Sequence, residues 1–134
     1  MAAPKHAVNV RDYLVNTTGL TDVSVGGLNS TPINQYAVIE YPGLPNVRTH
    51  GASANPGPPS LDEGNIQILA RHITAQTALT NIHTVINALD GLRDTTVNSV
   101  VYLFIEMINN PRILERQEDG SIVYCAEFRV QTRR

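Results

Sequence analysis

The most regular pattern along this 134-residue chain is a helical repeat of apolar positions between residues 74 and 89. Apolar residues recur there every three or four positions, as one face of an α-helix requires; they are Ala75, Ala78, Leu79, Ile82, Ile86 and Leu89. The opposite face carries Thr and Asn, without the Lys and Glu usual on a helix surface in water. Asp90 and Gly91 follow, so we predict a long helix that ends there.

A shorter helix is predicted near the start of the chain. Val10, Tyr13 and Leu14 have the spacing of one helix face. Gly19 follows, and glycine readily adopts the left-handed conformation that ends many helices. We expect a short strand next, within residues 20–28.

A long Pro- and Gly-rich stretch separates two predicted strands. Residues 35–41 are rich in β-forming side chains, and residues 65–71 alternate in polarity. Between them, residues 42–64 contain nine Pro or Gly in 23 positions. Irregular connections of this length are uncommon inside compact domains and are usually functional or disordered. The stretch is either a tolerated surface insertion or an interaction loop that becomes ordered against a neighbour.

The last third of the chain predicts a β-hairpin. Residues 99–116 read as one strand, strongly apolar in its first part and therefore covered on both faces, with a break or bulge at residues 109–111. Asp119 and Gly120 suit the positive-φ positions of a hairpin turn. The return strand, residues 122–132, alternates cleanly between apolar and mixed positions.

Together these elements predict an α+β fold, with one domain over residues 1–134. A mostly antiparallel β-sheet is packed by the long helix, and the short N-terminal helix adds to it. The hydrophobic share of 42% with only 5% aromatic residues indicates an aliphatic core. A charged share of 16% is low for a soluble domain. The surface is therefore rich in uncharged polar residues, or part of it is buried in an assembly.

Charge excludes a generally basic nucleic-acid binder, because the formal net charge is −2. Seven of the ten basic residues follow residue 68, all of them Arg, but seven acidic residues accompany them. Arginine is favoured in interface ion pairs, although exposed salt-bridged strands explain these residues equally well. Glu106 lies in an apolar strand. It either pairs with a neighbouring-strand arginine such as Arg129 or provides an acidic group in an assembly interface or pore.

Cys125 is the single cysteine, so an internal disulfide and a thiolate zinc cluster are both excluded. No apolar run approaches the roughly 20 residues that span a bilayer. The first residues lack the apolar segment of a signal peptide. We therefore expect a reducing, aqueous compartment and no membrane.

No catalytic motif appears in the sequence. The His-x-x-x-His, Cys-x-x-Cys, nucleotide-binding and nucleophile-elbow patterns are absent, and we predict no cofactor and no metal site. Each His is expected at the surface or at a helix end, and Cys125 is expected to be a structural thiol. Asp62 and Glu63 could form a metal or acid–base pair, but an entry turn to a strand or helix is a commoner setting for such a pair.

The segment of residues 107–134 resembles the closing hairpin of bacteriophage tail terminator and related minor capsid proteins. In that family a strand ends near a proline, an apolar residue precedes a turn with an acid and a glycine, and the last strand carries an aromatic-x-Val pattern before basic residues. The matching residues here are Pro111, Leu114, Asp119, Gly120, Tyr124, Phe128, Val130 and Arg133. The upstream order of elements, from Tyr13 to Leu89, is similar as well.

The resemblance implies a virion protein without enzymatic activity. Such a subunit forms a hexameric ring on the end of the tail tube, stops tube polymerisation and joins the tail to the head connector. It implies assembly in the host cytoplasm, contacts with the tail tube protein and a neck protein, and transient passage of DNA through the ring. We expect the long helix and the terminal hairpin to supply the subunit or partner interface, through Thr77, Thr80, Thr84, Arg112, Arg116, Arg129 and Arg133.

Three other interpretations remain open at this point. The chain could be a different head–tail joining or tail-completion subunit, with the same build and another partner. It could be a monomeric adaptor that binds through the Pro-rich stretch, in which case deleting residues 52–60 would abolish binding and leave folding intact. It could also be a small enzyme that uses Asp62 and Glu63.

Overall fold

The computed structural model describes residues 6–41 and 61–133, which form two helices and six strands. The predicted α+β class is confirmed. In chain order the elements are α1 (His6–Thr18), β1 (Val23–Val25), β2 (Gln35–Tyr41), β3 (Leu61–His72), α2 (Ala75–Leu89), β4 (Leu92–Val97), β5 (Val100–Arg116) and β6 (Ile122–Arg133).

The six strands form one sheet in the order β1-β2-β3-β6-β5-β4. Only β1 and β2 run parallel, and every other neighbouring pair is antiparallel. The strand with the highest residue numbers, β6, therefore lies in the middle of the sheet. It pairs with β3 over its whole length on one side and with β5 on the other.

The main core lies between one face of the sheet and the two helices. Its largest fully buried side chains are aliphatic apart from Tyr102 and Phe128, as the composition predicts; they include Val10, Leu14, Ile66, Ile68, Ile82, Val85, Leu89 and Val130. Burying an aliphatic or aromatic side chain of this size is worth about 1.5–3 kcal/mol. Of the predicted apolar repeat of α2, Ala78, Ile82, Ile86 and Leu89 are buried, Leu79 is half-buried and Ala75 is exposed. The helix also buries Val85, which the predicted repeat did not include.

A smaller apolar cluster covers part of the other sheet face. Ala37, Leu69, Val123 and Cys125 pack there beneath Leu28 of the β1–β2 loop. Burial raises the pKa of the Cys125 thiol, and the Gln67 amide donates a hydrogen bond to its Sγ at 2.9 Å. Cys125 is therefore a buried structural thiol, as expected.

Two predicted boundaries need correction. The strand β3 begins at Leu61, so the end of the predicted Pro/Gly-rich loop is strand; residues 42–60 lie outside the described part of the chain. The hairpin turn before β6 uses positive φ only at Gly120, where φ is 91°. Asp119 instead accepts hydrogen bonds from the Ser121 backbone N–H and hydroxyl.

The strand β4 was not predicted from the sequence. It is mostly polar, and it lies at the sheet edge, where half-exposed positions tolerate Thr and charged residues. A two-residue turn at Asn98 and Ser99, with φ values of 50° and 68°, joins it to β5. Positive φ at both central residues is the geometry of a tight hairpin turn, and no glycine marks it in the sequence.

The strand β5 continues through residues 109–111, where its pairing with β6 shifts register and forms a bulge. The expectation that both of its faces are covered is wrong. Only Tyr102 and Ile105 are buried, and both belong to the core between the sheet and the helices. The apolar cluster on the other sheet face includes no residue of β5. Beyond the Leu92–Ile105 pair, β6 is the one described strand beside β5.

Candidate functional site

Within residues 6–41 and 61–133, no three His, Cys, Asp or Glu side chains converge as a metal site requires. Asp62 and Glu63 lie within β3 and not in a loop, and their side chains are outside the described set. The described residues that were predicted to form an interface lie on strands of the sheet and on α2.

Among those same residues, neither helix is long and apolar enough to cross a bilayer.

Two of the predicted interface arginines form ion pairs within the chain, on the sheet face away from the helices. Arg112 forms an ion pair with Glu127 at 2.8 Å, and Arg129 pairs with Glu106. The Arg129 guanidinium also lies 5.7 Å from the centre of the Phe104 ring. The prediction that Glu106 pairs with Arg129 is confirmed. Exposed pairs of this kind are worth up to about 1 kcal/mol each.

The other two predicted arginines lie near strand ends. Arg116 is exposed at the end of β5, opposite Ile122, and forms no ion pair with a described residue. Arg133 is the last residue of β6, and its side chain is not among those described.

The predicted threonines share one stripe of α2. Thr80 and Thr84 are exposed, whereas Thr77 is half-buried. The hydroxyls of Thr80 and Thr84 donate to the carbonyls of Gln76 and Thr80, each at 3.1 Å. The stripe therefore presents an uncharged surface whose hydroxyls are already hydrogen-bonded. It lies on the helix side of the sheet, opposite Arg129, so the seven predicted residues do not form one patch.

Sequence reasoning missed a stretch of exposed apolar side chains on the outer half of β5. We call residues 108–116 the β5 arm. Its Ile108, Ile113 and Leu114 are 42%, 39% and 45% exposed. The Asp90 carboxylate caps the ladder by accepting the Met107 N–H at 2.9 Å, and beyond it no described strand pairs with this edge. Pro111 was the available signal, because proline within a strand marks a sheet edge.

Two further apolar side chains are exposed near the start of the sheet. Val25 belongs to β1, and Ile33 belongs to the loop between β1 and β2. Val25 is 39% exposed and Ile33 is 36% exposed. The loop that carries Ile33 is held in place by Arg71, whose guanidinium donates to the Ile33 carbonyl at 2.8 Å and to the Pro32 carbonyl at 3.0 Å.

A chain of hydrogen bonds, buried around Tyr102 and exposed at Asn98, fixes α1 on the sheet, and it was also missed. The Asn98 amide donates to Asn9 Oδ1 at 2.9 Å, and the Asn9 amide donates to the Tyr102 hydroxyl at 3.0 Å. The hydroxyl hydrogen is then left to be donated to His6 Nδ1, 2.9 Å away. Burial is the main reason that the pKa of Tyr102 rises to about 12.

His6 begins α1, in agreement with its predicted place at a helix end, and its side chain is buried. The backbone of Gly64 makes room for its ring. A Cβ at position 64 would lie 2.9 Å from His6 Cδ2, closer than real contacts allow. At the other end of the chain of bonds, the Asn98 amide also donates to Asp12 and is the main reason that the pKa of that carboxyl is lowered.

Comparison with solved structures finds the same fold in a chain of a structure titled "Virion of native gene transfer agent (GTA) particle". The TM-score is 0.59 with 15% sequence identity, over 96% of this chain and 94% of the other. No family model matches the sequence, and no curated protein matches it. At this identity the likeness shows the fold: nearly the whole chain folds as a subunit of that particle does.

Proposed function

We propose that this chain is a structural protein of a phage-like virion and that it acts in the tail, as a tail terminator. The observation that carries the proposal is the fold likeness to a chain of the gene transfer agent virion, which spans nearly the full length of both chains. The sequence resemblance of residues 107–134 to tail terminator proteins supports the finer role.

The surfaces of the described residues suit an assembly subunit. Ion pairs on the outer sheet face, an uncharged helix stripe and the exposed apolar side chains of β5 offer contact surface. In the proposed role, six copies close into a ring on the end of the tail tube. The ring stops addition of further tube subunits, and its other face receives the neck protein of the head. DNA would pass through the opening.

The test of this proposal has two parts. The first is native mass spectrometry of the purified chain over a wide concentration range, followed by negative-stain imaging. The proposal expects a sixfold mass and ring-shaped particles. The second is assembly of tail tubes with and without the chain. A terminator gives tubes of defined length when present and tubes of uncontrolled length when absent, whereas a neck subunit leaves tube length unchanged and blocks only head attachment.

The uncharged stripe of α2 has its own test within this proposal. Thr80→Lys together with Thr84→Lys places two charges on a surface that has none, and we expect loss of the ring with a folded monomer left behind. Circular dichroism checks folding, and native mass spectrometry checks the ring. Thr80→Ser with Thr84→Ser is the matched control, since it keeps the hydroxyls. An intact ring in the lysine variant would remove this stripe from the interface.

A further inference from the structure

We draw no further inference here: the strongest candidate, the surface patch of Ile108, Ile113 and Leu114 on the outer half of β5, carries nothing because nothing in the structure shows what covers it.

Discussion

The two halves of β5 belong to one strand but differ in their neighbours and in their burial. The inner half, residues 100–107, pairs with β4 as far as Ile105 and with β6 from Tyr102 onward, and it buries Tyr102 and Ile105 in the core under the helices. The outer half, residues 108–116, has β6 as its one described neighbouring strand, and it exposes Ile108, Ile113 and Leu114. Apolar residues occur in both halves, so the difference comes from what covers them: the inner half has β4 beside it and the helices over one face. A hydrophobic residue on a strand is a core residue only where other elements cover it.

The largest effect on stability is expected when one isoleucine in each half of β5 is shortened to alanine. Ile105→Ala should lower the free energy of unfolding by about 2–5 kcal/mol, because it leaves a cavity in the core. Ile113→Ala should lower it by about 1 kcal/mol or less, since the side chain is already in contact with water. Urea denaturation of both variants measures the difference. Equal losses would mean that the arm is covered in the monomer and would contradict the comparison.

A smaller effect is expected from Tyr102→Phe, which keeps the ring and removes the hydroxyl that links Asn9 to His6. The variant should lose about 1–3 kcal/mol at neutral pH because buried polar groups lose a partner. Tyr124→Phe is the matched control, since Tyr124 is half-buried and no hydrogen bond of its hydroxyl to a described residue is seen. A Tyr102→Phe variant as stable as the control would show that the chain of hydrogen bonds contributes nothing.

The same hydroxyl gives a pH dependence with a defined sign. The pKa of Tyr102 is raised from 10.0 to about 12 in the folded protein. Between these values the unfolded chain releases the proton and the folded chain retains it, so stability falls as pH rises from 10 towards 12. Tyr102→Phe should flatten this part of the stability–pH curve, which thermal unfolding at several pH values measures. An unchanged slope would assign the loss to other groups, such as Tyr36.

The smallest effect should come from the ion pairs on the outer face. Glu106→Gln in the inner half and Glu127→Gln beside the arm should each cost less than about 1 kcal/mol, because both pairs are solvent-exposed. High salt should shrink both effects further. A loss of several kcal/mol in the free energy of unfolding of either variant would contradict this. It would mean that the ion pairs on the sheet face away from the helices are shielded from water. Urea denaturation at low and high salt makes the measurement.

The sequence predicted those elements whose pattern reports their own local structure. The apolar stripe of α2 and the alternation of β6 each identify an element from its own residues, and both are present. The fold class and the mostly antiparallel sheet follow from their order. The pairing of Glu106 with Arg129 could be predicted because both lie on one face of neighbouring strands.

The features that depend on distant neighbours were not predictable in this way. The polar β4 is a strand because β5 pairs with it, and the two-residue turn that joins them uses Asn98 and Ser99 in place of glycine. The burial of His6 depends on Tyr102, 96 residues away. The exposure of the β5 arm follows from where β4 ends. None of these features can be predicted from a few neighbouring residues, because each depends on residues distant along the chain.

The central position of β6 has a consequence for the order of events during synthesis. The β1–β3 group and the β4–β5 hairpin are adjacent in the sheet only through β6, which leaves the ribosome after all of them. Until it emerges, the two groups cannot form one sheet, and residues 108–116 have no strand beside them. The arm acquires its shape only in a finished subunit. A nascent chain without β6 therefore holds residues 108–116 as an unpaired strand with apolar side chains, the kind of segment that is prone to wrong contacts during synthesis.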